Sequence, residues 1–108
     1  MIKRVSLVRR KPGMSREAFL AHWMGPHADI VRQLPGLRGL RFGVVQQWAP
    51  ADAAWDGVGE LWFDSIGDAE RAFATEPFAA QLRADRAIFL GEAQAAFVEE
   101  HTRVPPPV

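Results

Sequence analysis

Apolar residues recurring at three- and four-residue steps mark residues 15–34, SREAFLAHWMGPHADIVRQL, as the dominant helical pattern of the chain. Phe19, Trp23, His27, Ile30, Val31 and Leu34 share one stripe, and Arg16, Glu17, Asp29 and Arg32 fall mostly off it. Ser15 stands at the N-cap position, where its hydroxyl can accept from an otherwise orphaned backbone N–H. Gly25-Pro26 interrupts the pattern. Proline removes a helical donor and disfavours helix at the residue before it, so a kink or break is expected there. Pro26 then opens a second helical segment with His27 in its first turn. Pro35-Gly36 stops the helix after Leu34.

Residues 2–9 (IKRVSLVR) are rich in β-branched side chains and bounded by Lys11-Pro12-Gly13, which predicts a first strand. Residues 37–48 form a second strand, with Leu40, Phe42 and Val44 on one face and Leu37, Gly39, Arg41, Gly43 and Val45 on the other. Two glycines on one strand face imply either close packing by a helix or an open cavity. Residues 49–56 (APADAAWD) join this strand to a third at residues 57–63 (GVGELWF). Trp55 in that connection suits a lid over a pocket or an anchor against a partner chain. In the third strand Val58, Glu60 and Trp62 share one face, and Leu61 and Phe63 the other. Asp64 or Ser65 caps a helix through Ile66, Ala69, Ala72 and Phe73. Thr75-Glu76-Pro77 interrupts it. A further helical piece runs from about Pro77 to Leu90, with a bend near Asp85 and Gly91 as its stop. Residues 93–103 alternate as a fourth strand, and Pro105-Pro106-Pro107 cannot pair in a sheet.

The order strand–helix–strand–strand–helix–strand predicts an α+β, ferredoxin-like βαββαβ fold: a four-stranded antiparallel sheet with the helices on one face. A single domain is expected over residues 1–104, with residues 105–108 as an extended or disordered tail. Strands two and three carry large apolar groups on both faces, yet the helices can cover only one. The other face is expected to meet the same face of a second copy, giving a homodimer whose two sheets enclose a pocket.

Composition narrows the chemistry more than the fold. With no cysteine in 108 residues, disulfides, thiolate metal sites and thiol nucleophiles are excluded. No secretory leader or long apolar run is recognisable, so a cytoplasmic protein with no membrane partner is expected. Net charge is zero, but residues 1–47 hold nine Lys/Arg against two acids, and residues 48–108 hold four Arg against eleven acids. Such asymmetry can signal a nucleic-acid arm. Without an accompanying aromatic-basic binding motif, pairing between interleaved halves is the better reading, and no nucleic-acid partner is expected. Glycines lie at turns and strand faces rather than in a nucleotide cradle, and no hydrolase triad or nucleophile elbow is present.

The run RKPGMSREAFLAHWMGPHADIVRQLPG, the block WDGVGELWFD and a final strand ending VEEH together resemble the EthD-type dimeric α+β barrel proteins. The resemblance covers residues 5–101. Its most specific part is F-x-x-x-W-x-x-x-H-A, here Phe19, Trp23, His27 and Ala28. It implies the fold already derived and a homodimer whose facing sheets form the barrel. Relatives include accessory proteins of ether degradation, a lactone methylisomerase, polyketide-tailoring proteins and, more distantly, cofactor-free monooxygenases. Their shared chemistry is proton transfer beside a carbonyl or aromatic ring, without metal or organic cofactor. In isomerase-type members the helix histidine is paired with a tyrosine five residues after the proline of the L-P-G turn. That position is Leu40 here, and the chain has no tyrosine. Either Glu60 or His101 replaces it, or that chemistry is absent.

His27 is therefore the first candidate catalytic residue. At the start of a helical segment, free N–H groups bias an imidazole towards its neutral form, which is a competent general base at pH 7. The competing reading is a core histidine that pins the kink. Glu60, between Val58 and Trp62, is the second candidate: an acid or proton relay if its face is inward, or an ion-pair partner of Arg41 or Arg38. Trp23, Leu40, Phe42 and Trp62 would supply flat apolar walls for a small hydrophobic ligand, or simply pack the core. His22 is expected in a surface or supporting position. Spacing of five turns His22 and His27 apart on a regular helix, which argues against a metal site shared with His101. The functional expectation is a cofactor-independent lyase, isomerase or cyclase acting on a carbonyl or aromatic metabolite. The alternatives are a non-catalytic ligand-binding accessory protein of an oxygenase or degradation pathway, and a cofactor-free monooxygenase.

Overall fold

The computed structural model describes residues 1–46 and 54–107. Strands β1 (Ile2–Arg10), β2 (Gly39–Val44), β3 (Gly57–Phe63) and β4 (Leu90–Val98) form one antiparallel sheet in the order β2-β3-β1-β4. Between β1 and β2 lie α1 (Arg16–His22), a π-helical turn (Trp23–His27) and α2 (Ala28–Val31); α3 (Ile66–Ala74) and α4 (Phe78–Phe89) follow β3. This is the ferredoxin-like arrangement expected. Ser15 and Ser65 cap α1 and α3, each accepting a backbone N–H three residues on. The end of the second expected strand and most of the following connection lie outside the described residues.

Register decides which side chains meet the helices. Val8, Ser6 and Arg4 of β1 pair with Gly57, Gly59 and Leu61 of β3, which pair in turn with Val44, Phe42 and Leu40 of β2. That face packs on the helices: Leu61 and Phe63 with Val31, Leu34, Ala69, Ala72 and Leu82, and Val8 with Phe19, Trp23 and Phe89. Fully burying an aromatic or leucine of this kind contributes about 1.5–3 kcal/mol. On the opposite face, Lys3, Glu60 and Trp62 stand together. Trp62 lies over Gly39, where a Cβ would be 3.1 Å from its ring. The glycine in β2 thus accommodates a neighbouring indole, rather than a helix or a cavity.

Two further expectations are corrected. α4 runs through Asp85 without a bend, and Gly91 does not stop it; Leu90 already opens β4. Gly91 instead lies so close to the Arg10 backbone that no Cβ would fit. β4 starts and ends earlier than its alternation implied, and residues 99–107 carry no strand or helix. The charge asymmetry between the halves resolves largely into pairs across them: Lys3 with Glu60 and Glu100, Arg9 with Glu92, Arg10 with Asp56, and Arg38 with Asp64.

Gly57 is small because the Trp23 indole lies against β3, and Gly59 because Ser6 does. A Cβ on Gly57 would collide with the far edge of that ring, and one on Gly59 would sit 2.9 Å from Ser6 Oγ. Gly57→Ala is expected to destabilise the fold by about 1–3 kcal/mol. For a domain of this size that lowers Tm by roughly 4–8 °C per kcal/mol. Thermal unfolding of Gly57→Ala, alone and with Trp23→Phe, checks this: the smaller ring should recover part of the loss.

Candidate active site

The expected break at Gly25-Pro26 does not form. The chain passes from α1 to α2 through a π-helical turn, and His22, Trp23, His27 and Ala28 all keep right-handed helical torsions. Such turns carry i→i+5 spacing and open the helix locally, so the missing proline N–H is accommodated without a new helix start. The consequence reaches the side chains. On a regular α-helix His22 and His27 would point about 140° apart, at about 100° per residue. Across the π-helical turn, residues five apart come to the same side.

Both histidines therefore reach one carboxylate. Asp85 of α4 accepts from His22 Nε2 at Oδ1 (2.7 Å) and from His27 Nδ1 at Oδ2 (2.9 Å). Asp85 is only 7% exposed. A buried carboxylate without partners would be strongly unfavourable, and here each oxygen has an imidazole donor. Phe89, one turn further along α4, packs against both rings, with centroids 5.0 Å from His22 and 4.9 Å from His27.

A carboxylate only accepts hydrogen bonds, so the proton between His27 and Asp85 belongs to Nδ1. Among the described residues no group bonds His27 Nε2, which leaves that nitrogen's lone pair available. Burial pushes the His27 pKa below its ordinary 6.5, against the opposing pull of Asp85; Arg86 and His22 add to the downward shift. Burial, not a helix start, is the largest cause biasing the ring towards its neutral form.

His27 lines a cavity of about 60 Å³ between the helices and the sheet. Trp23, Leu40 and Phe42 line its apolar walls, joined by Leu61 and Phe89. Three polar groups on this wall were not recognised from the sequence: Ser6 and Arg4 of β1, and Arg86 of α4. Glu60 and Trp62 are not part of it. They occupy the other face of the sheet, where Glu60 Oε2 takes a hydrogen bond from Lys3 Nζ at 2.6 Å and Trp62 Nε1 donates to Glu100 at 2.7 Å. Lys3 is thus the ion-pair partner of Glu60 in place of Arg38. His101 is exposed beside Glu99 and lines no part of the cavity. Trp55 stacks under the Arg9 guanidinium and also stands apart from the cavity. This cavity lies inside a single chain, between sheet and helices, and not on the sheet face expected to meet a second copy.

Asp85 went unrecognised as a functional residue, although its signal was present. It is the one acid on the α4 stripe Ala79, Leu82, Asp85 and Phe89, where a lone charge needs a buried partner. Among the described residues no group of three His, Cys, Asp or Glu is arranged to hold a metal ion.

Element order, register and the helix-side cavity define a ferredoxin-like α+β domain with a small hollow and a histidine in its wall. Within that class the chain belongs to the EthD domain family, whose model matches residues 11–93. No curated protein matches closely enough in sequence to transfer a function. Among solved structures, an EthD family protein from Bacillus halodurans superposes with a TM-score of 0.78 at 22% identity, covering 94% of this chain and 99% of its own. A dimeric ferredoxin-like protein from Bacteroides fragilis gives 0.70 at 13% identity, covering 92% and 95%. A hydroxynitrile lyase from Passiflora edulis gives 0.73 at 15% identity, covering 96% of each chain.

The His27 ring should titrate with a midpoint below 6.5, followed by proton–carbon NMR of the imidazoles. Asp85→Asn removes the group that opposes the shift and should move the midpoint further down. The linkage has a definite sign. Between the folded midpoint and 6.5 the unfolded chain binds the His27 proton more readily than the native state, so this group makes stability rise with pH across that window.

Proposed function

We propose that this protein is a cofactor-independent proton-transfer enzyme, of the lyase, isomerase or cyclase kind, acting on a small carbonyl or aromatic metabolite. The observation that carries the reading is the His27–Asp85 pair, with the imidazole forming part of a cavity wall. Nε2 of neutral His27 removes a proton from a carbon beside a carbonyl, or from a hydroxyl, and Asp85 stabilises the imidazolium that forms. Returning the proton to another atom isomerises the substrate; attack by the carbanion closes a ring; expulsion of a leaving group completes an elimination. Asp85 and His22 are positioning residues, since neither lines the cavity. Similarity in fold to a hydroxynitrile lyase agrees with acid–base chemistry in such a domain and carries no more than that.

A second reading is favoured by one feature. Leu40 and not a tyrosine stands on the wall at the position where isomerase-type relatives carry their phenol. A protein that only holds a hydrophobic ligand for a partner oxygenase needs no such group. The two readings separate in D2O. Enzyme incubated with small ketones, lactones and oxoacids should speed exchange of the proton beside the carbonyl, seen by proton NMR, and His27→Ala should lower the rate by about 100-fold or more. Equal thermal stabilisation of wild type and His27→Ala by a ligand, with no exchange in either, supports the accessory role instead.

We also propose that the sheet face opposite the helices pairs with a second copy. Val5, Leu7, Val58 and Trp62 are only half-buried there, and a structural neighbour is described as dimeric. Light scattering should give twice the 12.0 kDa chain mass, and Leu7→Glu should shift it towards one. A wild type of single-chain mass contradicts the pairing.

A further inference from the structure

Arg4 and Arg86 come from different elements, the central strand β1 and helix α4, and line the same cavity wall as His27. A surface depression between α3 and α4, lined in part by Arg83, shares both guanidinium-bearing residues with the cavity, so they stand where hollow meets surface. Neither behaves as a solvated surface cation. Burial disfavours the charged form of each, and Arg86 adds its positive charge against Arg4.

A carboxylate would ordinarily balance such a pair. Among the described residues none meets either guanidinium, and no Asp or Glu lines the cavity. Asp85 adjoins Arg86 in sequence, but its oxygens are held by His22 and His27 at 2.7 and 2.9 Å. Among the described residues Arg4 meets only the Phe73 ring, 5.0 Å from its centroid, which leaves its N–H groups free to donate. Among the described residues nothing compensates these two mutually repelling cations on a largely apolar wall. An anionic occupant would remove that imbalance through charge-assisted hydrogen bonds.

We propose that Arg4 and Arg86 form a binding site for an anionic group of the substrate, a carboxylate held with its apolar body towards Trp23, Leu40 and Phe42. This deepens the proton-transfer reading and rests on it for the word substrate, though not for binding. A carboxylate, with one charge and a flat two-oxygen edge, matches two guanidiniums on a largely apolar wall better than a doubly charged phosphate. The cavity shares Arg4, Phe73, Leu82 and Arg86 with the adjoining depression, which gives a ring-sized body room beyond the 60 Å³. Held at the arginines, such a molecule presents its far end to His27. Substrates of this kind are small oxoacids or aryl carboxylates, and the anion orients the reacting carbon.

The probe is benzoate, with benzamide as its uncharged isostere, titrated at fixed ionic strength and followed by the tryptophan and imidazole NMR signals. Benzoate should bind wild type at least ~10-fold more tightly than benzamide. Arg86→Gln should abolish that difference by weakening benzoate alone, and Arg86→Lys should recover most of it. Arg4→Gln should act in the same direction, with Tm monitored because it also removes the Phe73 contact. His27→Ala should still bind benzoate, so retained binding with no proton exchange in any variant sinks the catalytic reading and leaves the anion site standing. The proposal is overturned if benzamide binds as well as benzoate, if Arg86→Gln leaves benzoate affinity unchanged, or if wild type gives no saturable response to benzoate.

Discussion

Asp85 and its two imidazoles are the interaction on which the functional half of this molecule depends. A carboxylate this deeply buried is tolerated only with both oxygens engaged, and the two donors come from a helix distant in sequence. The same contacts fix three things together: the distance between α4 and the helical segment before β2, the rotation of the His27 ring, and the nitrogen that keeps its proton. Fold stability and the proposed acid–base chemistry therefore meet in a single group. Removing Asp85 would leave two buried imidazoles without an acceptor, while replacing His22 would free one oxygen and loosen the grip on the other.

The surrounding architecture serves that contact. The π-helical turn brings residues 22 and 27 to one side without breaking the helix. Gly57 and Gly59 leave room for the Trp23 indole to lie on β3, which draws the turn down onto the sheet. Val8, Phe19 and Phe89 fill the space beside it. What remains unfilled is the hollow at His27, bounded by Leu40 and Phe42 on one side and by Arg4 and Arg86 on the other. The two packed core clusters on either side bound that gap within the fold.

Element order and fold class were legible in the sequence because strand alternation, serine caps and proline stops agreed with one another. Three features were not, each for a physical reason. Gly25-Pro26 reads as a helix break because local rules describe α-helices, whereas an extra residue in the turn absorbs the missing N–H. That error also turned His22 away from His27. The place of Glu60, pocket or ion pair, stayed open because large apolar residues stand on both faces of β3, so size does not tell which face is inward. Here the inward face carries glycines, since an indole from the helix lies there, and the outward face carries Trp62. Asp85 was read as a bend when it was a buried partner. A lone acid on an apolar stripe, together with histidines on a facing helix, is a pattern that sequence reading can look for.

The central claim is that Asp85 holds His27 as the Nδ1–H tautomer, leaving Nε2 as a base towards the cavity. Long-range proton–nitrogen NMR on uniformly 15N-labelled protein near pH 7 reads the tautomer of each imidazole directly. The account predicts a protonated Nδ1 and a bare Nε2 for His27, with the proton on Nε2 for His22. A His27 ring protonated at Nε2, or exchanging freely between tautomers, would contradict it.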